Sequence, residues 1–155
     1  AAQFNYALHL ELGIGVAKNA REAVHWYVKA SEQGHVKAQL NLGLCYQFGS
    51  GVKQSYEEAK NWLSKSADGG SAEGMFNLAV LYGDAAAGMV DHTRAAELYT
   101  KAAKLGYPPA MFNLGVYYEN GMGGLEPDKA KAMELYRKAA AKNYKNAIDL
   151  LKERE

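Results

Sequence analysis

The sequence predicts an all-α fold, a right-handed α–α superhelix (solenoid) of four antiparallel helix pairs closed by a C-terminal capping helix. Asn5, Asn41, Asn77 and Asn113 fall at intervals of 36 residues, and self-similarity at one fixed period of this size marks a stacked repeat array. Each asparagine lies in a mostly apolar phrase, clearest at Ala110-Met111-Phe112-Asn113-Leu114-Gly115-Val116-Tyr117-Tyr118. A glycine-bearing loop follows, then a segment with charges on one side, so that each period reads as two helices. The handedness, with the first helices inside, is what stacked helix pairs of constant offset are expected to adopt.

The first repeat covers residues 2-37. Its opening helix runs to about Leu12, its loop is Gly13-Ile14-Gly15-Val16, and its second helix extends from about Asn19 to Gln33. Asn19 with Glu22 three residues on is a capped helix start. Gly34 is the expected stop, because glycine accepts the left-handed conformation that closes many helices. The second repeat, 38-73, has the loop Gly49-Ser50-Gly51-Val52 and a capping-box pair in Ser55 and Glu58.

The third repeat, 74-109, replaces the paired-glycine loop with Gly83-Asp84-Ala85-Ala86-Ala87-Gly88, so its inter-helix turn should differ. The fourth, 110-146, is entered through Pro108 and Pro109, which suit the first turn of a helix. Its loop carries one extra residue, since Tyr136 follows Tyr99 by 37 positions. Asn143 stands where the earlier copies have glycine, as asparagine can at a left-handed stop. A ninth helix then begins at Ala147-Ile148-Asp149-Leu150-Leu151 and gives way to Lys152-Glu153-Arg154-Glu155. An apolar side and a charged side at 147-155 is what an array needs to end in water.

The two helices of a repeat differ in character. The first is apolar nearly all round, as a helix packed on several sides must be. The second carries charge outward, with Glu97 to Lys101 and Glu134 to Lys138 at i,i+4 spacing. Ala23, Ala59, Ala95 and Ala132 are expected to face inward and permit close approach, with Trp26, Trp62, Tyr99 and Tyr136 filling the space between pairs.

Composition narrows the function. The chain has 155 residues, the length of one domain, 1-155, that buries about two thirds of its unfolded surface. With 18 Lys and Arg against 17 Asp and Glu, neither nucleic acid nor an anionic membrane surface is the expected partner. No apolar run approaches a membrane span, so no insertion is expected. The lone Cys45 provides no disulfide framework and fits a reducing, cytoplasmic compartment. The chain opens on Ala1 inside a repeat, without methionine, and is expected to be a fragment with further repeats upstream.

The order Ala-x3-Leu-Gly-x2-Tyr, Gly-x-Gly-Val, then Ala-x2-Trp-x2-Lys-Ser-Ala-x2-Gly, as it stands from Ala38 to Gly70, resembles the Sel1-like repeat, a relative of the tetratricopeptide repeat with a longer inter-helix loop. The likeness covers essentially the whole chain, although the third copy lacks Gly-x-Gly and the fourth has an insertion. It implies an adaptor that binds a protein or peptide partner in a concave groove. Similar proteins scaffold assemblies in quality control, trafficking and signalling. The alternative it implies is a regulatory repeat domain of a larger enzyme, for example a kinase, acting on its own chain or recruiting substrate. A secreted, cysteine-rich branch pairs cysteines within each repeat, and a chain with Cys45 alone departs from it.

In related tetratricopeptide grooves an asparagine at this place on the first helix bonds the backbone of an extended peptide, and Asn5, Asn41, Asn77 and Asn113 match by position. A carboxamide offers donor and acceptor together and so can hold a peptide unit of any sequence. On the same face stand Phe4 and Leu8, Leu40 and Leu44, Phe76 and Val80, Phe112 and Val116. One turn further come Glu11, Gln47, Asp84 and Glu119, the last two giving the groove an acidic tint, so the expected ligand is an extended or helical peptide with apolar side chains and a basic one. A second reading is open for all of them, in which the asparagines bond a neighbouring repeat and the apolar residues are core.

No enzymatic constellation is expected. His9, His25, His35 and His92 are scattered and form no His-x3-His pair, so neither metal site nor cofactor motif is indicated. The Gly-x-Gly loops lack the lysine and the preceding strand of a phosphate cradle. His92 beside Asp91 reads as a helix start, and Cys45 has no neighbouring activator.

Overall fold

The computed structural model describes residues 1–155 and contains nine α-helices and no strand. It forms two compact units, Ala1–Gly74 and Met75–Glu155. The first holds α1 (Ala2–Leu12), α2 (Ala20–Glu32), α3 (Val36–Phe48) and α4 (Tyr56–Asp68). The second holds most of α5 (Ala72–Gly83), then α6 (His92–Lys104), α7 (Pro108–Asn120), α8 (Lys129–Ala141) and α9 (Lys145–Glu153).

Each second helix is started by a side chain suited to the task. Asn19, Ser55, Asp91 and Asp128 accept from the amides of Glu22, Glu58, Arg94 and Lys131 at 3.0, 3.2, 3.0 and 2.9 Å. This satisfies one of the amides a helix start leaves unpaired. Pro108 opens α7, where a missing amide costs nothing. Asn143 is the one non-glycine residue with a positive φ, at 65°, so it takes the left-handed position that closes α8.

The loops differ as the sequence leads one to expect. Gly51 and Gly123 lie so close to the start of the preceding second helix that a Cβ would meet the carbonyl oxygen of Ala20 at 2.3 Å and that of His92 at 2.4 Å. Only glycine lets the loop seat there. In the third repeat Asp84 instead caps a single 3-10 turn, Ala85–Ala87, ended by Gly88.

Three expectations need correction. The space between helices is filled by Tyr27, Leu63, Tyr99 and Tyr136, which are register equivalents, each at most 3% exposed. Trp26 and Trp62 belong to the next position round the helix and are half-buried, with Lys29 and Lys65 over their rings at 4.8 and 4.3 Å. Both indoles pack against the core of the first unit and offer a polarisable face to the lysine above. Helix α9 starts at Lys145, two residues early. Its end does not dissolve, because Arg154 pairs with Glu119 through both guanidinium nitrogens at 2.8 and 3.2 Å. Ala23, Ala59, Ala95 and Ala132 do face inward, none more than 1% exposed.

Candidate functional site

The four asparagines occupy equivalent helical positions but not equivalent surroundings. Asn41 in the first unit donates its amide to the Tyr27 hydroxyl at 3.3 Å, and Asn113 in the second donates to Tyr99 at 3.1 Å. In both cases the first helix of one repeat is tied to the second helix of the repeat before it. One amide hydrogen is spent on this tie, and the second hydrogen and the carbonyl oxygen retain bonding capacity. Asn41 and Asn113 remain half-exposed, and Asn5 is exposed. Asn77 is half-buried, and the repeat before it has Leu63 at the register position that Tyr27 and Tyr99 hold in theirs.

The apolar neighbours divide. Phe4 lies 6.0 Å from Tyr27 and stacks on His35 at 4.6 Å. Phe76 lies 5.9 Å from Tyr99 and 5.4 Å from Tyr107, and Phe112 lies 5.3 Å from Tyr136 and 5.6 Å from Tyr144. Each phenylalanine thus packs between its own second helix and the residue that opens the following repeat. Leu40 is buried, whereas Leu8, Leu44, Val80 and Val116 are half-buried. These four retain surface that a partner can cover.

A second tie links the two helices of one repeat. The Tyr27 hydroxyl donates to the Glu11 carboxylate, and that of Tyr136 donates to Glu119 at 2.8 Å. Arg154 completes the latter cluster, and its hydrogen bond, followed by that of Tyr136, holds the Glu119 carboxyl below the usual carboxylate range. The register residues are Glu11, Gln47, Gly83 and Glu119. Asp84 therefore lies one residue off the row to which the charge pattern assigns it. Its carboxylate is turned to the loop, accepting from the Ala86 amide at 2.9 Å. Gln47 is buried, and its Oε1 has no hydrogen-bond partner, because Leu63 replaces the tyrosine of that repeat.

The third repeat has the opposite mismatch, a tyrosine without its acid. There a cavity of about 380 Å³ opens within the second unit. Val80, Asp84, Asn113 and Val116 line it, so it gathers four of the residues that the sequence pattern selects. Tyr99, Gly83, His92, Tyr117 and Met122 complete its wall. His92 Nδ1 lies 2.9 Å from the Tyr117 hydroxyl, and the Tyr117 ring meets Tyr99 edge-on at 5.3 Å. Burial pushes the Tyr99 phenol up to about 12 and raises that of Tyr117, so both are protonated donors at neutral pH. The wall is therefore mainly apolar, with hydroxyl, imidazole and carboxamide groups that can recognise a polar ligand atom.

His92 and Tyr117 escape selection by sequence because their register equivalents are unremarkable. Ala20, Tyr56 and Lys129 share the place of His92, and His9, Cys45 and Leu81 that of Tyr117. The signal that marks them is this departure from the repeat consensus. Elsewhere, Cys45 is buried, and that burial pushes its thiol up to about 12, which favours the protonated form. No group of three or more His, Cys, Asp or Glu is placed to hold a metal ion, and no helix is long and apolar enough to cross a membrane.

An all-helical array of paired helices with an open, mainly apolar cleft defines a repeat scaffold of the solenoid class. The Sel1 repeat family model matches residues 1–35, 36–71, 72–107 and 108–144, and the chain belongs to the Sel1 repeat family. Among solved structures it is similar to a Sel1 repeat protein from Oxalobacter formigenes, with a TM-score of 0.90 and 32% identity over 97% of this chain and 59% of that one. It is also similar to c5321, a protective antigen of uropathogenic Escherichia coli with the SLR fold, at a TM-score of 0.89 and 28% identity over 94% of this chain and 31% of that one. The immunity protein Pa5087 from Pseudomonas aeruginosa matches at a TM-score of 0.67 and 26% identity over 94% and 54% of the respective chains. The chain thus spans about three fifths or less of these proteins' lengths. Comparison with curated proteins gives no match. Sel1 repeat proteins generally mediate protein–protein interaction.

Proposed function

We propose that this chain is an adaptor segment that binds an extended stretch of a partner protein, with the third-repeat cleft as its anchoring point. One observation carries the reading. Val80, Asn113 and Val116, which repeat logic puts on the binding face, line a cavity of about 380 Å³ together with Tyr99, Tyr117 and His92. That volume, at the low end for a ligand pocket, has room for a side chain and the backbone atoms beside it. The half-exposed Asn113 amide can hold the backbone beside it while its other hydrogen stays on Tyr99. Leu8 and Leu44 offer further half-buried apolar surface in the first unit.

A display selection of peptides against the whole chain tests this. Selected peptides should lose at least tenfold in affinity for Val116→Glu or Val80→Glu, whose circular dichroism stays that of the parent. Undiminished binding to both variants contradicts the proposal.

A further inference from the structure

The repeats contain an internal template for what the cleft receives. In the first and fourth repeats a buried tyrosine of the second helix donates to a glutamate of the first helix, Tyr27 to Glu11 and Tyr136 to Glu119. The third repeat keeps the tyrosine, Tyr99, but has Gly83 in the glutamate's place. The second repeat shows the reverse, an acceptor without a tyrosine, and there Gln47 Oε1 is left buried and unbonded. Acceptor and hydroxyl are therefore built as a pair, and the third repeat supplies only the hydroxyl. Where the acid would stand, the chain has an open cavity lined by Gly83, Tyr99, Asn113 and His92. The first atom of the missing side chain has room, since a Cβ on Gly83 would meet only the Tyr117 hydroxyl, at 3.4 Å.

We infer that this cleft takes a carboxylate from the partner, supplied by a glutamate side chain, seated on the Tyr99 hydroxyl as Glu11 and Glu119 are seated on theirs. The inference rests on the reading of the cleft as the partner's anchoring point. Tyr99 is only 3% exposed, and its hydroxyl, accepting from Asn113 at 3.1 Å, has its own proton to give. A hydroxyl-to-carboxylate bond is charge-assisted and stronger than one to a neutral carbonyl, so a glutamate is favoured over a glutamine of the same shape. His92, Nδ1 engaged with Tyr117, supplies a second polar edge. Asp84 stands at the same cleft and opposes an incoming anion. Its removal should strengthen the site, which gives the inference an unusual gain-of-binding arm.

The test needs no identified partner. Acetyl-glutamate methylamide, acetyl-glutamine methylamide and acetyl-alanine with a free C-terminus are titrated into the isotope-labelled chain and followed by amide NMR shifts. The glutamate compound should move the amides around Gly83, Tyr99 and Asn113, and Tyr99→Phe should weaken it at least fivefold. Asp84→Asn should tighten it by roughly two- to tenfold, as expected of one neighbouring charge partly screened by salt. Equal or tighter binding of the glutamine compound overturns the carboxylate, and preference for the free C-terminus overturns the side-chain source.

Gly83→Glu provides the acid in cis. Gly83→Ala should raise Tm by about 2 °C through helix propensity and keep ligand binding. Without a partner for its charge, glutamate in a last helical turn should do worse than alanine. Gly83→Glu should instead exceed Gly83→Ala by about 2 °C, lose that excess in Tyr99→Phe, and abolish binding of the glutamate compound. A Gly83→Glu chain no more stable than Gly83→Ala overturns the inference. The reading of the cleft as an anchor stands or falls separately, on whether selected peptides still map to it.

Discussion

Replacing Asn113 by alanine removes the amide that Asn113 donates to Tyr99 at 3.1 Å. The bond joins two neutral groups, so its net worth is about 1 kcal/mol. The Tyr99 hydroxyl is not orphaned by the change, because it borders the open cleft and water can replace the lost donor. The full penalty for an unpaired buried group therefore does not apply. For a chain of 155 residues, a loss of about 1 kcal/mol lowers Tm by about 2–4 °C. Asn41→Ala should cost a similar amount, since Asn41 donates to Tyr27 at 3.3 Å. Asn5 is exposed, and Asn5→Ala should stay within about 0.5 kcal/mol of the parent. Urea denaturation of the three variants, with Tyr99→Phe and the Asn113→Ala/Tyr99→Phe double variant, measures the coupling directly. A coupling of about 1 kcal/mol is expected. A coupling near zero, or an Asn5→Ala loss as large as that of Asn113→Ala, would refute the idea that these asparagines brace one repeat against the next.

Two further outcomes follow from the same geometry. Glu119 is held below the usual carboxylate range by Arg154 and Tyr136, so its folded pKa lies under its unfolded one. Its contribution is present at neutral pH and is lost as pH falls through the carboxylate range toward the folded value. The acid limb of a stability profile should therefore flatten in Arg154→Ala, and an unchanged limb would show that the Glu119 cluster does not set it. Cys45 is buried, and burial pushes its thiol up to about 12, whereas the thiolate is the reactive form. A thiol reagent should label the native chain at least a hundredfold more slowly than the urea-unfolded chain, whereas full labelling of native protein within minutes would contradict its burial.

Much of the fold is legible from local chemistry. The caps at Asn19, Ser55 and Asp91, the left-handed Asn143 and the altered third loop are all short-range events, governed by residues within a few positions of each other. The asparagine row is equally visible, because a period needs no three-dimensional information. What it does could not be read, since the tie to Tyr99 or Tyr27 spans 14 residues and depends on which side of the second helix faces the next repeat. A one-residue error there rotates a helix position by about 100°. That rotation separates the half-buried Trp26 and Trp62 from the buried Tyr27 and Leu63. A one-residue offset likewise separates Gly83, the last residue of α5, from Asp84, which has left the helix and turns to its loop. The cleft itself arises from a missing side chain, and an absence leaves neither an apolar period nor a motif to announce it. His92 and Tyr117 become meaningful only after the register is fixed.

Anchoring of a partner in the third-repeat cleft is the central claim, and amide and methyl NMR mapping of the chain with a display-selected peptide tests it most directly. Intermolecular contacts and the largest shifts are predicted to fall on Val80, Tyr99, Asn113, Val116 and Tyr117, residues that line this cavity. Contacts confined to the charged outer face of α6 and α8, with the cleft residues unmoved, would contradict it.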